Sequence, residues 1–238
     1  VARSKTANKT AANQPAAKAK PDLDGIAEAI SKGDAAAALL AALDAWRAAR
    51  SPELADLIDV LDTRIGFPPI ADDLAWTEVA FSKNPLALGR LLSMIGELPA
   101  SFLPTAIGKL AAFPDDPRLG TAAAGWILEP PTVSTSTYPF WNGLYKLLER
   151  IGDTRVIAAI TKRRKMAQPK TKKWAGDKNP KPSQFWDKFY AALDKTKVAL
   201  AALSPPVADK GIARLDKQAR KLPMAEGKAV KVAVTTKS

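Results

Sequence analysis

The chain has 238 residues, 47% of them hydrophobic, and a formal net charge of +12 from 36 Lys and Arg against 24 Asp and Glu. That length holds one sizeable domain, alone or with unstructured ends. Cysteine and histidine are both absent. This excludes a disulfide framework, a thiolate nucleophile and Cys-ligated zinc or iron–sulfur sites, and it removes the commonest general base and metal ligand. What remains is carboxylate, lysine, tyrosine and hydroxyl chemistry.

The charge is unevenly placed. Residues 1–20 carry five positive and no negative groups, and residues 21–80 carry four positive and twelve negative. Residues 81–150 are near balance with six and five, whereas residues 151–238 hold twenty-one positive and seven negative. Such asymmetry points to an anionic partner, or to one end of the molecule docking on the other.

Residues 1–20 read as a disordered basic arm, with Arg3, Lys5, Lys9, Lys18 and Lys20 among Ala, Asn and Thr and no apolar periodicity. The arm holds no apolar stretch of the kind found in a signal peptide. The longest apolar run, Ala35 to Leu43, falls short of the roughly 20 residues a membrane span needs. A cytoplasmic protein is therefore expected.

From Asp22 the pattern becomes helical. Asp34 is placed to cap a helix from Ala35 to Arg50, with Leu39, Leu40, Leu43 and Trp46 on one stripe. Ser51-Pro52-Glu53 opens the next helix by a capping hydroxyl, a first-turn proline and an early acid. Its apolar positions Leu54, Leu57, Ile58, Leu61 and Ile65 follow helical spacing until Gly66 and Pro68-Pro69.

The same opening recurs at Asn84-Pro85, Asp116-Pro117 and Asp153-Thr154. The four cap positions Ser51, Asn84, Asp116 and Asp153 are spaced by 33, 32 and 37 residues. Between them lies room for second helices at Ala71–Ser82, Ser101–Ala112 and Pro139–Ile151. One hairpin per such interval predicts an all-α fold, a short α-solenoid of stacked helical hairpins over residues 21–160. A compact helical bundle is the competing arrangement.

Asp116-Pro117-Arg118-Leu119 and Gly152-Asp153-Thr154-Arg155-Val156 resemble the Gly-Asp-Pro-Arg start of the second helix in HEAT-like repeats. The region from Asp115 through Glu129-Pro130-Pro131, Ser134 to Thr137 and Pro139-Phe140-Trp141 to Asp153 also resembles uncharacterised helical proteins of myxobacteria and related bacteria. The likeness covers residues 40–160. It implies a fold and no particular activity. Thr154 stands where the repeat pattern prefers proline.

After Ile160 the character changes. Lys162, Arg163, Arg164, Lys165, Lys170, Lys172, Lys173, Lys178 and Lys181 face Asp177 alone, and Pro169, Gly176, Pro180 and Pro182 break the periodicity. A basic loop is expected over 161–183. C-terminal helices packed on the array are expected over 184–223, beginning with the stripe Phe185, Trp186, Phe189, Tyr190 and Leu193. Val207 to Leu222 forms a last lysine-rich helix, and residues 224–238 a basic tail.

No feature of the chain makes an enzyme of it. The neighbouring carboxylates Asp72-Asp73 and Asp115-Asp116 are read as helix caps rather than an acid–base pair. Ser134 to Thr137 is read as a structural turn. No phosphate loop, dinucleotide fingerprint or EF-hand spacing is present, so no cofactor, metal site or small-molecule substrate is expected. Trp46, Trp76, Trp126, Trp141 and Trp186 lie in apolar stripes and are assigned to the core.

Trp174 differs, standing in Lys172-Lys173-Trp174 where it either stacks on a base or folds back over the neighbouring hairpin. The candidate polyanion-binding set is Lys162, Arg163, Arg164, Lys165, Lys170, Lys172, Lys173, Trp174, Lys178 and Lys181. Three readings of it stay open: contact with nucleic acid, docking on an acidic protein surface including this chain's own, and simple solvation. Lysine predominates over arginine, so a nucleic acid is expected to be held without sequence preference. The primary expectation is a non-catalytic binding module. A DNA glycosylase-type enzyme on a HEAT-like scaffold and a salt-dependent head-to-tail protein scaffold are the alternatives.

Overall fold

The computed structural model describes residues 21–65, 84–95, 98, 100–111, 113, 115–130, 137–174, 180–203 and 209–224, with backbone alone for 167–174 and 180–185. Among the described residues all regular structure is helical. These residues form ten α-helices: α1 (Asp24–Ser31), α2 (Ala35–Ala49), α3 (Pro52–Asp62), α4 (Leu88–Ile95), α5 (Leu103–Ala111), α6 (Arg118–Leu128), α7 (Tyr138–Ile151), α8 (Val156–Trp174), α9 (Pro180–Ala201) and α10 (Lys210–Ala219). Short 3-10 turns lead into α4 and α5 at Pro85–Ala87 and Ala100–Phe102.

Local chemistry accounts for the starts. The Asp34 carboxylate accepts the Ala37 N–H at 2.9 Å, and the Ser51 hydroxyl accepts that of Leu54 at 3.4 Å beside Pro52 in the first turn. Asn84 accepts the Leu86 N–H at 3.0 Å. Asp116 and Asp153 each accept the N–H two residues on, from Arg118 and Arg155, both at 3.0 Å. Each such bond satisfies a donor that the first helical turn leaves free.

The ends differ. Gly152 closes α7 at φ 72°, where glycine has no Cβ to clash, and its N–H donates to Leu148 O at 2.9 Å. Arg50 closes α2 in the same left-handed region at φ 49°, unusual for a side-chain-bearing residue. Tertiary bonds hold it there: the guanidinium donates to the carbonyl oxygens of Arg150 (2.8 Å) and Ile151 at the end of α7, and pairs with Asp115. Asp115 also meets Arg150 Nε at 2.9 Å. The sequence reading made Asp115 a cap; it is a tertiary clamp between two arginines.

Packing follows the apolar stripes. α1, α2 and α3 pack in succession, α3 meets α6, and α6 meets α8. On the other side α5 packs on α7, α7 on α9, and α9 on α8. α10 returns to lie against α3 and α1. The core is continuous, running from Ile26, Leu43 and Trp46 through Leu57, Leu91 and Ile127 to Phe140, Trp141 and Phe189. At the α7–α9 contact the Trp141 and Phe189 rings meet edge to face with centroids 5.1 Å apart, a favoured aromatic geometry. Trp46, Trp126 and Trp141 are buried and Trp186 packs against the core, while Trp76 lies outside the described residues.

The stretch 161–183, expected as a basic loop, is helical over 161–174 and 180–183. Lys and Arg are good helix formers and simply extend the helix nucleated by Val156 to Ile160. Pro169 lies inside α8, where it has no N–H to donate to the preceding turn. Pro180 and Pro182 fall in the first turn of α9, where a missing N–H goes unnoticed. α8 accordingly runs through residue 160 without a break. The expected arm, the tail from 225, the helix Ala71–Ser82, Asp72-Asp73 and residues 134–136 lie outside the described residues.

Candidate polyanion-binding surface

The cations of the last third begin on α8, one turn after its apolar start. Arg163 and Arg164 are half-buried and turned toward their neighbours. Arg163 Nη1 donates to Leu128 O at the end of α6 (3.3 Å), and its guanidinium carbon lies 5.4 Å from the Trp186 ring centroid. Arg164 pairs with Asp194 on α9 at 3.0 Å and lies 5.0 Å from the Tyr190 ring centroid. These two arginines clamp α8 onto α6 and α9 through cation–π and charge contacts.

Lys162 and Lys165 are exposed. They are one turn apart on α8, and among the described residues neither forms an ion pair. The backbone of α8 carries Lys170, Lys172, Lys173 and Trp174 onward in the same helix. At about 100° per residue, positions 162, 165, 172 and 173 share a single arc of about 100°. Position 174 comes about five turns after the buried Val156, at the same register. Lys181 is in the first turn of α9, and Lys178 lies outside the described residues. The structure thus divides the candidate set, giving Arg163 and Arg164 to the fold and leaving Lys162 and Lys165 on the surface.

A second charge cluster was not visible in the sequence as a unit. Arg118, only 3% exposed, binds Asp116 (2.6 Å), Asp62 on α3 (2.7 Å) and Pro85 O (2.6 Å). Arg155 binds Asp153 (2.8 Å), Asp59 (2.6 Å) and Asp56 (2.8 Å), and reaches Thr121 on α6 at 3.1 Å. Three acids one turn apart on α3 are thereby tied to the starts of α6 and α8. Gly89 lies close to Asp62 and Gly120 close to Asp153; a Cβ at Gly89 would stand 2.7 Å from the Asp62 carboxylate, and one at Gly120 would overlap that of Asp153.

The electrostatics of this cluster are those of a fastening. Burial works against the charge on Arg118, and Asp116 and then Asp62 outweigh it, so the guanidinium stays firmly protonated. Arg155 is held charged in the same way, by Asp153 and Asp59 against burial. Burial pushes the Asp59 carboxyl up to about 6, against the opposing pull of Arg155 and Thr121. The signals were present in sequence: Asp-x-Arg occurs at 116–118 and 153–155, and Asp56, Asp59 and Asp62 recur every third residue. Their pairing across 56 to 99 positions is what no local pattern gives.

Burial raises the Tyr145 hydroxyl far above the ordinary phenol range, so it is neither nucleophile nor base. Among the described residues no three metal-capable side chains converge, and no helix is long and apolar enough to cross a membrane. An open depression of about 490 Å³ lies between the α1–α2 turn and the end of α10, lined by Lys32, Asp34, Arg64, Pro223 and Met224, away from α8. No protein-family model, curated protein or solved structure matches the chain.

Proposed function

We propose that the chain is a non-catalytic helical binding module, a short stack of α-hairpins that holds nucleic acid without sequence preference on the lysine-bearing side of α8. The carrying observation is the division of cations on that helix: arginines engaged inward, Lys162 and Lys165 exposed and free of ion pairs among the described residues. Lysine on a fixed helix is a point charge suited to phosphate, and on that side of α8 no arginine fork stands beside the lysines to read base edges.

The test is a salt titration of the full chain with a mixed-sequence 20-base-pair duplex. Binding is expected at low salt, with log K falling by about 0.9 per phosphate neutralised for each unit of log salt. Replacing Lys162, Lys165, Lys172 and Lys173 by Gln is expected to flatten the slope by up to about 3.6 on the same basis. Failure to bind even at low ionic strength sinks the nucleic-acid reading and leaves an acidic protein as partner. Release of modified bases from methylated DNA would overturn the non-catalytic reading in favour of a glycosylase.

A head-to-tail scaffold has less to support it. The acids of α3 that would receive another copy's cations already bind Arg118 and Arg155 of their own chain, and α10 covers α3 and α1.

A further inference from the structure

α10 has a sharply two-sided make-up. Ile212, Leu215, Ala219 and Leu222 are buried where the helix lies against α3 and α1. Its exposed residues are Lys210, Ala213, Arg214, Lys217, Gln218, Arg220 and Lys221, with no acid and no large apolar side chain among them. Asp216, the one carboxylate within the helix, is taken by Arg220 at 2.9 Å.

Lys210, Arg214 and Lys217 follow the four-three spacing of one helix side, and Lys221 continues it in the closing turn. At 1.5 Å per residue the charges stand about 6, 4.5 and 6 Å apart along the axis, a row of about 16 Å. Among the described residues none of the four forms an ion pair. Of the acids nearby, Glu28 on α1 is paired with Lys32 at 2.5 Å and Asp209 caps the Gly211 N–H, while Asp24 on α1 is exposed.

The helix that carries the row is fixed at both ends. Asp209 accepts the Gly211 N–H at 2.7 Å at its start, and Arg64 Nη2 donates to Arg220 O at 2.9 Å at its finish. The charges are thus held on a rigid base, so ordering them against a regular anion costs little beyond their own side-chain freedom.

The composition of that side selects the partner. A membrane-surface helix inserts its apolar face, and the apolar face of α10 is already buried in the fold. A protein partner draws most of its energy from aromatic or apolar anchors, and the exposed side of α10 itself offers only Ala213, with Met224 exposed beyond the closing turn. A straight row of point charges without such anchors suits the phosphate backbone of a duplex, whose charges recur every 3.4 Å of axis on each strand.

We infer that α10 is a second, separate phosphate-binding surface, on which Lys210, Arg214, Lys217 and Lys221 grip the backbone of double-stranded nucleic acid without reading its bases. The inference rests on the proposed function in its choice of partner and uses none of the α8 residues.

The test compares the wild-type full chain with two variants, K210Q/R214Q/K217Q/K221Q on α10 and K162Q/K165Q/K172Q/K173Q on α8. All three are titrated with the same 20-base-pair duplex across salt. The α10 variant is expected to flatten the log K against log salt slope by up to about 3.6, four contacts at about 0.9 each. An unchanged slope in the α10 variant beside a flattened one in the α8 variant overturns this inference and spares the proposed function. The reverse pattern supports α10 and overturns the α8 surface. No binding by the wild type overturns both. Equal retention of the wild type by polyglutamate, or by vesicles with anionic headgroups, overturns the choice of a duplex. Should the α10 variant lose helical circular dichroism, Lys217→Gln alone is read in its place, with a slope change of about 0.9 expected and none overturning the inference.

Discussion

Arg118 and Arg155 at the starts of α6 and α8, and Lys162, Lys165 and the α10 row on the surface, carry the same formal charge in opposite surroundings. The arginines are surrounded by carboxylates and carbonyls, each with at least three partners on more than one helix. The lysines meet solvent. The planar guanidinium fork can satisfy several acceptors at once while desolvated, whereas a strongly hydrated ammonium keeps its water. Charge counted along a sequence therefore says little until residue type and partners are known. On α8 and at the starts of α6 and α8 the fold takes up arginine and leaves lysine outside, whereas on α10 Arg214 stays on the surface among the lysines.

The largest expected effect breaks the comparison outright if it fails. Arg155→Ala leaves Asp153, 1% exposed, and Asp59 without their guanidinium, and is expected to cost about 3–5 kcal/mol. Lys162→Ala, at an exposed position, should change stability by no more than about 0.5 kcal/mol. Urea unfolding of both variants measures the contrast; equal losses would mean that the two groups of cations are not distinct.

Next is the pH response of the cluster. The Asp59 carboxyl lies near Arg155, Asp153 and Asp56, and burial holds its folded value up at about 6. The unfolded chain protonates this group only near pH 4, so between the two values the folded state binds more protons. Stability is therefore expected to rise as pH falls from 6 toward 4, by about 2 kcal/mol after allowance for partial exposure. Asp59→Asn should flatten the curve in that window relative to wild type. A variant curve parallel to wild type would show that Asp59 titrates normally.

The smallest expected effect sharpens the comparison from the apolar side. The Tyr145 hydroxyl is buried and finds no hydrogen-bond partner among the described residues. An unsatisfied buried hydroxyl carries a desolvation cost, so Tyr145→Phe is expected to stabilise by about 1 kcal/mol in the same urea assay. A loss would reveal a partner for the oxygen.

Much of the fold was legible because its signals are local. Asp34, Ser51, Asn84, Asp116 and Asp153 were each recognisable from a few residues, since a cap is a bond between near neighbours. The helical stripes named most of the core for the same reason. The extent of α8 was not legible, because Pro169, Pro180 and Pro182 were read as breakers although Pro52, Pro85 and Pro117 were read as openers. Pro180 and Pro182 open α9, and Pro169 is carried within a helix that Arg163 and Arg164 clamp to its neighbours. Within the candidate site, the sequence distinguished lysine from arginine by chemistry but placed both in one exposed set. Only the tertiary position of Leu128, Trp186, Asp194 and Tyr190 separates them.

The return of α10 onto α3 and α1 has a bearing on how the chain is made. α1 and α3 present apolar sides that α10, far later in the chain, covers with Ile212, Leu215, Ala219 and Leu222. Until synthesis has passed α10, α1 and α3 are without the helix that packs on that flank.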